Sequence, residues 1–211
     1  MPVDLRALLD PAHTAVVTSE VQQSVVGERS ALPALAAAAS AGMVPNIGRL
    51  CVAARAASVQ VIHCVAARRT DGKGSNTNAR LFGGVKKSPV TMLPGTDDVA
   101  VLPELGPEPD DLVLCRLHGL DPMAGTDLDP VLRNLGVTTI VVTGVSVNVA
   151  VTNLVMDAVN RGYQVVLPRD AVAGLPADYA DAVIDNTIAL LATVTTTAAV
   201  IDAWAPRRDN A

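Results

Sequence analysis

The sequence predicts an α/β protein: a three-layer α/β/α sandwich around a central, mainly parallel six-stranded sheet. Short β-branched runs alternate along the chain with longer stretches of helical spacing, the pattern of βαβ units joined by right-handed crossovers. Half of the 211 residues are hydrophobic but only 2% are aromatic. The core must therefore be Val, Leu, Ile and Ala, which suits helices packed closely on a buried parallel sheet. A chain of this length is expected to form one domain over 1–211.

Taken in order, Ala15 to Ser19 (AVVTS) is apolar and β-branched and reads as a first strand, with Glu20 directly after it. The alanine-rich segment Ser30 to Gly42 fits either a helix or an adapting loop. Val44-Pro45-Asn46 opens a helix, since proline is tolerated in a first turn, and Ile47, Leu50, Cys51, Ala54 and Ala57 form its apolar face. Val59 to Val65 (VQVIHCV) is a second strand. From Arg68 the composition turns to Gly, Ser, Asn and basic residues as far as Lys87, so 68–92 is expected to be a long loop. Such loops are uncommon in compact domains, and this one is either a substrate lid or a solvated excursion and subunit contact.

Leu93-Pro94-Gly95-Thr96 is a turn, Leu102 to Asp111 a proline-rich connector, and Leu112 to Cys115 a third strand ending at Arg116. Leu128 to Leu135 is a helix capped by Asp127 and closed by Gly136. A strand over 139–143, a glycine turn and a helix over 148–161 ending at Gly162 follow. Gln164 to Leu167 is a fifth strand, Asp178 to Leu191 a helix, Thr193 to Thr195 a sixth strand and Ala198 to Trp204 a last helix.

The formal net charge of −5 argues against a nucleic-acid partner. Ser30 to Gly48 and Asn134 to Met156 are uncharged, but prolines interrupt the first and the second changes period midway, so neither is expected to span a membrane. Met1 to Asp10 lacks a signal-peptide apolar core. Cys51, Cys64 and Cys115 lie in apolar runs without framework spacing and read as buried, reduced thiols of a cytoplasmic protein.

In a parallel sheet the carboxyl ends of the strands share one edge, where ligands bind. Glu20, Arg116 and the turn from Val145 to Ala150 should meet there. A carboxylate, a cation and the N–H groups of a helix start form a candidate anion-binding or hydrolytic site.

The segments VVTSEVQ (16–22), MVPNIGRL (43–50), AARAASVQVIH (53–63) and TDLDPVLRNLGVTTIVVTGVSVNVAVTNLVMDAVNRGYQVVLPRDA (126–171) resemble the isochorismatase-like hydrolases, the cysteine hydrolase family of nicotinamidases and carbamoylsarcosine amidases. The resemblance implies a Rossmann-type fold, a cis peptide at Val145–Ser146, and an oxyanion hole from the N–H groups of Ser146 and Ala150. It also implies that Glu20, Arg116 and Ala150 stand where the family carries a catalytic Asp, Lys and nucleophilic Cys.

Without a thiol at Ala150 no thioester can form there, which argues against nicotinamidase-type amidase chemistry. The expected ligand is a small anionic metabolite. Glu20 is the candidate acid or water-orienting base, Arg116 the carboxylate binder, and His118 a further pocket residue. The alternative is a pseudoenzyme that binds a small carboxylate or serves assembly, with Glu20 and Arg116 as a bidentate ion pair filling the site. No cofactor is expected. No metal is expected either: His13, His63 and His118 are scattered, and the Asp-x-His pattern of metal-binding nicotinamidases is absent. The resemblance further implies a homo-oligomer, a dimer or tetramer.

Overall fold

A computed structural model describes residues 3–86 and 88–206, with 84–86 described by backbone alone. Met1, Pro2, Lys87 and 207–211, the outer parts of the expected domain and one end of the expected loop segment, lie outside the described residues.

The elements run α1 Leu5–Leu8, β1 Thr14–Ser19, α2 Gln23–Val26, α3 Pro33–Ser40, α4 Met43–Ala56, β2 Gln60–Ala66, α5 Arg80–Lys86, β3 Leu112–Arg116, α6 Leu128–Asn134 and β4 Thr139–Val145. A π-helical turn, Val147–Val151, then leads into α7 Thr152–Asn160, followed by β5 Gln164–Pro168, β6 Val172–Ala173, α8 Ala177–Asn186, β7 Thr193–Thr195 and α9 Thr197–Trp204. The strands form one sheet in the order β3-β2-β1-β4-β5-β7, with β6 paired to the end of β4. All of these pairings are parallel.

Parallel pairing buries both faces, which is why β1 and β4 are continuous β-branched runs without an exposed residue. On one face Val16, Val61, Val141, Val145 and Val166 meet Ile47, Leu50, Cys51 and Ala54 of α4 and Val200 of α9. On the other face Val17, Ile62, Ile140, Val142 and Leu167 meet Leu128 and Leu132 of α6, Leu154 and Val155 of α7, and Ile184 of α8. Each fully buried Leu or Ile contributes roughly 1.5–3 kcal/mol, so these two layers fix the sheet between its helices. No single described helix is long and apolar enough to cross a membrane. Only α3 and α4 together pass that test, and they are bent by 57°.

The structure differs from the expected elements in several places. Among the described residues the sheet has seven strands, because two residues of the 170s pair with the end of β4. Ser30 to Gly42 resolves into α3, and the 68–92 segment holds a short helix, α5, whose two glycines hid its periodicity. The helix expected over 178–191 ends at Asn186, and a 3-10 turn, Ile188–Leu190, completes the passage to β7. Asp127 makes no side-chain cap; the Leu128 N–H donates to Thr126 Oγ1 instead, at 3.2 Å. Cys115 is exposed rather than buried, since β3 is the edge strand and Val113 and Cys115 alternate outward on it.

Candidate active site

The site lies at the carboxyl edge of the sheet, where β1, β3 and β4 end. Glu20 follows β1 with φ 55°, a left-handed conformation that side chains other than glycine seldom adopt, and its N–H donates to Cys64 O at 2.8 Å. Beside it Gly144, at φ 102°, sits opposite Ser19, so close that a Cβ there would run into the Ser19 carbonyl. Ser19 Oγ donates to Val145 O at 3.0 Å and ties the end of β1 to the turn after β4. The Val145–Ser146 peptide is cis. The Ser146 carbonyl accepts from the N–H groups of Val149 and Val151, which starts the helix with a π-turn.

Arg116, at the end of β3, is 5% exposed and pairs with Glu20 through a single nitrogen, Nη2, whose second contact is Leu120 O at 3.5 Å. The pair is thus not bidentate. Arg116 Nε and Nη1 are buried without a partner. Nor does the pair fill the space around it: a cavity of about 520 Å³ remains, lined by Glu20, Arg116, Ser146, Asn148, Val149 and Ala150 together with His118. His118 Nε2 donates to Gly125 O at 3.2 Å, which fixes the ring at the cavity edge.

Five of the expected site residues therefore line one cavity: Glu20, Arg116, Ser146, Ala150 and His118. Val145 does not. Its side chain is fully buried in the α4-side core, because strand alternation turns it away from the edge. Asn148, within the expected 145–150 turn, also lines the cavity, whereas sequence reasoning missed Arg68, Ser75, Asn76 and Phe82, which line it too. The signal for these four was the composition of 68–92. The 68–92 segment closes on itself where Arg68 N–H donates to Met92 O at 2.6 Å, and it is tied across to the β3 end where Gly119 N–H donates to Asn76 Oδ1 at 2.8 Å.

Among the described residues no group of three His, Cys, Asp or Glu side chains is placed to hold a metal ion. Two of the cysteines are deeply buried, and burial pushes the Cys51 and Cys64 thiols up to about 12, far from the reactive thiolate range. Neither they nor Cys115 line the cavity. The chemistry available there is a carboxylate, two guanidinium groups, an imidazole, hydroxyls, two amides and the backbone at the start of α7.

Residues 14–199 match the isochorismatase domain. The chain is 30% identical over 184 residues to ureidoacrylate amidohydrolase RutB of Agrobacterium fabrum, which spans 81% of this chain and 80% of the relative. It is also 30% identical to the protein of that name from Rhizobium rhizogenes, over 81% and 74% of the two chains. Among solved structures, a cysteine hydrolase from Pseudomonas syringae pv. phaseolicola superposes with a TM-score of 0.81 at 31% identity, covering 92% of this chain and 93% of that one. An isochorismatase family protein from Burkholderia thailandensis gives 0.74 at 28% identity, over 92% and 96%. With its parallel sheet, its strand-edge cavity and this match across nearly the whole chain, the protein belongs to the isochorismatase-like hydrolase family.

Proposed function

We propose that the protein hydrolyses a small carboxylate-bearing metabolite, most simply an amide, without thiol chemistry. One observation carries this reading. Among the described residues, every buried side-chain nitrogen or oxygen without a hydrogen-bond partner belongs to Ser75, Arg116 or Asn148, and all three residues line the same cavity. Buried polar groups are nearly always satisfied, so a cluster of exceptions around one cavity points to a ligand that completes them. The relatives named ureidoacrylate amidohydrolases act, by that name, on an amide of a small acid, which supports the same substrate class.

At Ala150 a methyl group cannot attack a carbonyl, so water is the nucleophile. Glu20, paired with Arg116, orients that water in this reading and accepts its proton as the oxygen adds to the amide carbon. In this reading the N–H groups of Ser146 and Ala150 stabilise the developing oxyanion. Collapse breaks the C–N bond, the proton passes from Glu20 to the leaving nitrogen, and an acid and an amine depart. Arg116 holds Glu20 in place, and its unpartnered Nε and Nη1 donate hydrogen bonds to the substrate.

The replaced nucleophile favours a second reading, in which the same cavity binds a carboxylate without turning it over. A panel of carboxylate-bearing amides and vinyl ethers separates the two. Turnover that falls at least about 100-fold in Glu20→Gln supports hydrolysis. Binding of panel members with no turnover of any of them supports the binding protein, and equal turnover in Glu20→Gln overturns the assigned role.

A further inference from the structure

The cavity contains more apolar wall than a short polar acid requires. Its inner end holds the Glu20–Arg116 pair, whose charges cancel. Among the described residues, the one other charged residue lining it is Arg68. Arg68 is half-buried, and its side chain makes no hydrogen bond or ion pair among the described residues, while its N–H is fixed to Met92 O. Among the described residues the cavity therefore carries one uncompensated cation, held on a fixed stretch of backbone at the neck of the 68–92 segment.

The wall next to that cation is apolar. Leu32 directly precedes α3 and Leu35 lies in its first turn, Leu81 and Phe82 come from α5, and Met92 from the far end of the segment. Leu32 and Leu81 are 39% and 43% exposed, large side chains left open to solvent at a cavity edge. Phe82 is the single phenylalanine of the chain, set against this cavity in a sequence with almost no aromatic residues. At about 520 Å³ the space fits a ligand of drug-like bulk. A short polar acid would leave the apolar wall wet.

We propose that the cavity selects amphiphilic acids, a carboxylate joined to a bulky aryl or branched alkyl body, with Arg68 reading the carboxylate and the α3–α5 wall seating the body. The proposal rests on the reading above only in taking the cavity as a ligand site; it does not depend on turnover. Arg68 pairs with the carboxylate as a charge-assisted contact in a partly desolvated setting, and the apolar body removes the exposed faces of Leu32 and Leu81 from water.

Calorimetric titration of the wild-type protein with phenylbutyrate, propionate and phenylbutanol tests this. Phenylbutyrate is expected to bind on the order of tenfold or more tightly than either of the others. Arg68→Gln is expected to remove its advantage over phenylbutanol, and Phe82→Ala to reduce its advantage over propionate. Circular dichroism of both variants checks that the fold is kept. Phenylbutyrate binding no tighter than propionate, or a carboxylate preference that survives Arg68→Gln in a folded variant, overturns the proposal. If phenylbutyrate binds wild type and Glu20→Gln alike while no amide or vinyl ether is turned over, the hydrolase reading fails and this one stands. If short polar amides are turned over with a dependence on Glu20 but phenylbutyrate does not bind, the reverse holds.

Discussion

Ser75 Oγ is buried in the cavity wall with no partner, a standing cost that the unliganded protein carries. Removing it should therefore separate stability from function. Ser75→Ala is expected to leave the unfolding free energy unchanged or raise it by up to about 1 kcal/mol, while lowering kcat/KM or ligand affinity. Urea denaturation alongside a binding titration checks both. A buried chain away from the cavity behaves oppositely. His63, fully buried, lies 2.9 Å from Thr18 Oγ1 through Nδ1 and 3.3 Å from Asp111 Oδ2 through Nε2, and Arg55 holds the same carboxylate at 2.6 Å. A carboxylate only accepts, so Nε2 carries the proton and Nδ1 accepts from the threonine hydroxyl. Burial pushes the His63 pKa below its usual 6.5, against the pull of Asp111. The unfolded chain then binds the proton more readily than the folded one. Stability from this group is complete above about pH 6.5 and is lost as pH falls below that toward the folded value. The urea midpoint should drop between about pH 7.5 and about pH 5.5, and the drop should be shallower in His63→Gln; an unchanged slope in that variant contradicts the assignment.

At the scale of elements, the β1–β4 pairing sets the site. Ser19 and Gly144 face each other where both strands end, and the glycine alone allows the approach that places Glu20 beside the turn after β4. Gly144→Ala combines a backbone clash with an unfavourable φ, so a loss of at least about 3 kcal/mol is expected by thermal or urea denaturation. The long β-branched runs were legible in the sequence because a parallel sheet buries them on both faces and leaves no alternation to misread. The two residues of β6 were not legible, since so short a strand has no period and exists only through its contact with β4. Nor was α5, whose RLFGGVK carries two residues of poor helix propensity. Cys115 was misplaced for a tertiary reason: apolar character told of a strand but not that the strand lies at the sheet edge.

For the whole molecule, the topology alone brought Glu20, Arg116 and the 145–150 turn together, because strands of one direction share an edge. The rest of the cavity wall comes from α3, the 68–92 segment and the loop after β3, far apart in sequence and without a shared period, so Arg68, Ser75 and Phe82 could not be assigned to it beforehand. Val52, Val113 and Leu190 leave large apolar side chains 64%, 53% and 81% exposed, and we propose that they are covered in a homo-oligomer. Sedimentation velocity is expected to show a dimer or tetramer; a monomer alone contradicts that. The central claim is that the site works through Glu20 in place of a thiol. Its most direct test is the initial hydrolysis rate of a turned-over carboxylate-bearing amide, measured before and after alkylation of the exposed Cys115 and in Glu20→Gln. The rate should survive alkylation and fall at least about 100-fold in Glu20→Gln. Loss of activity on alkylation, with Glu20→Gln as active as wild type, would contradict it.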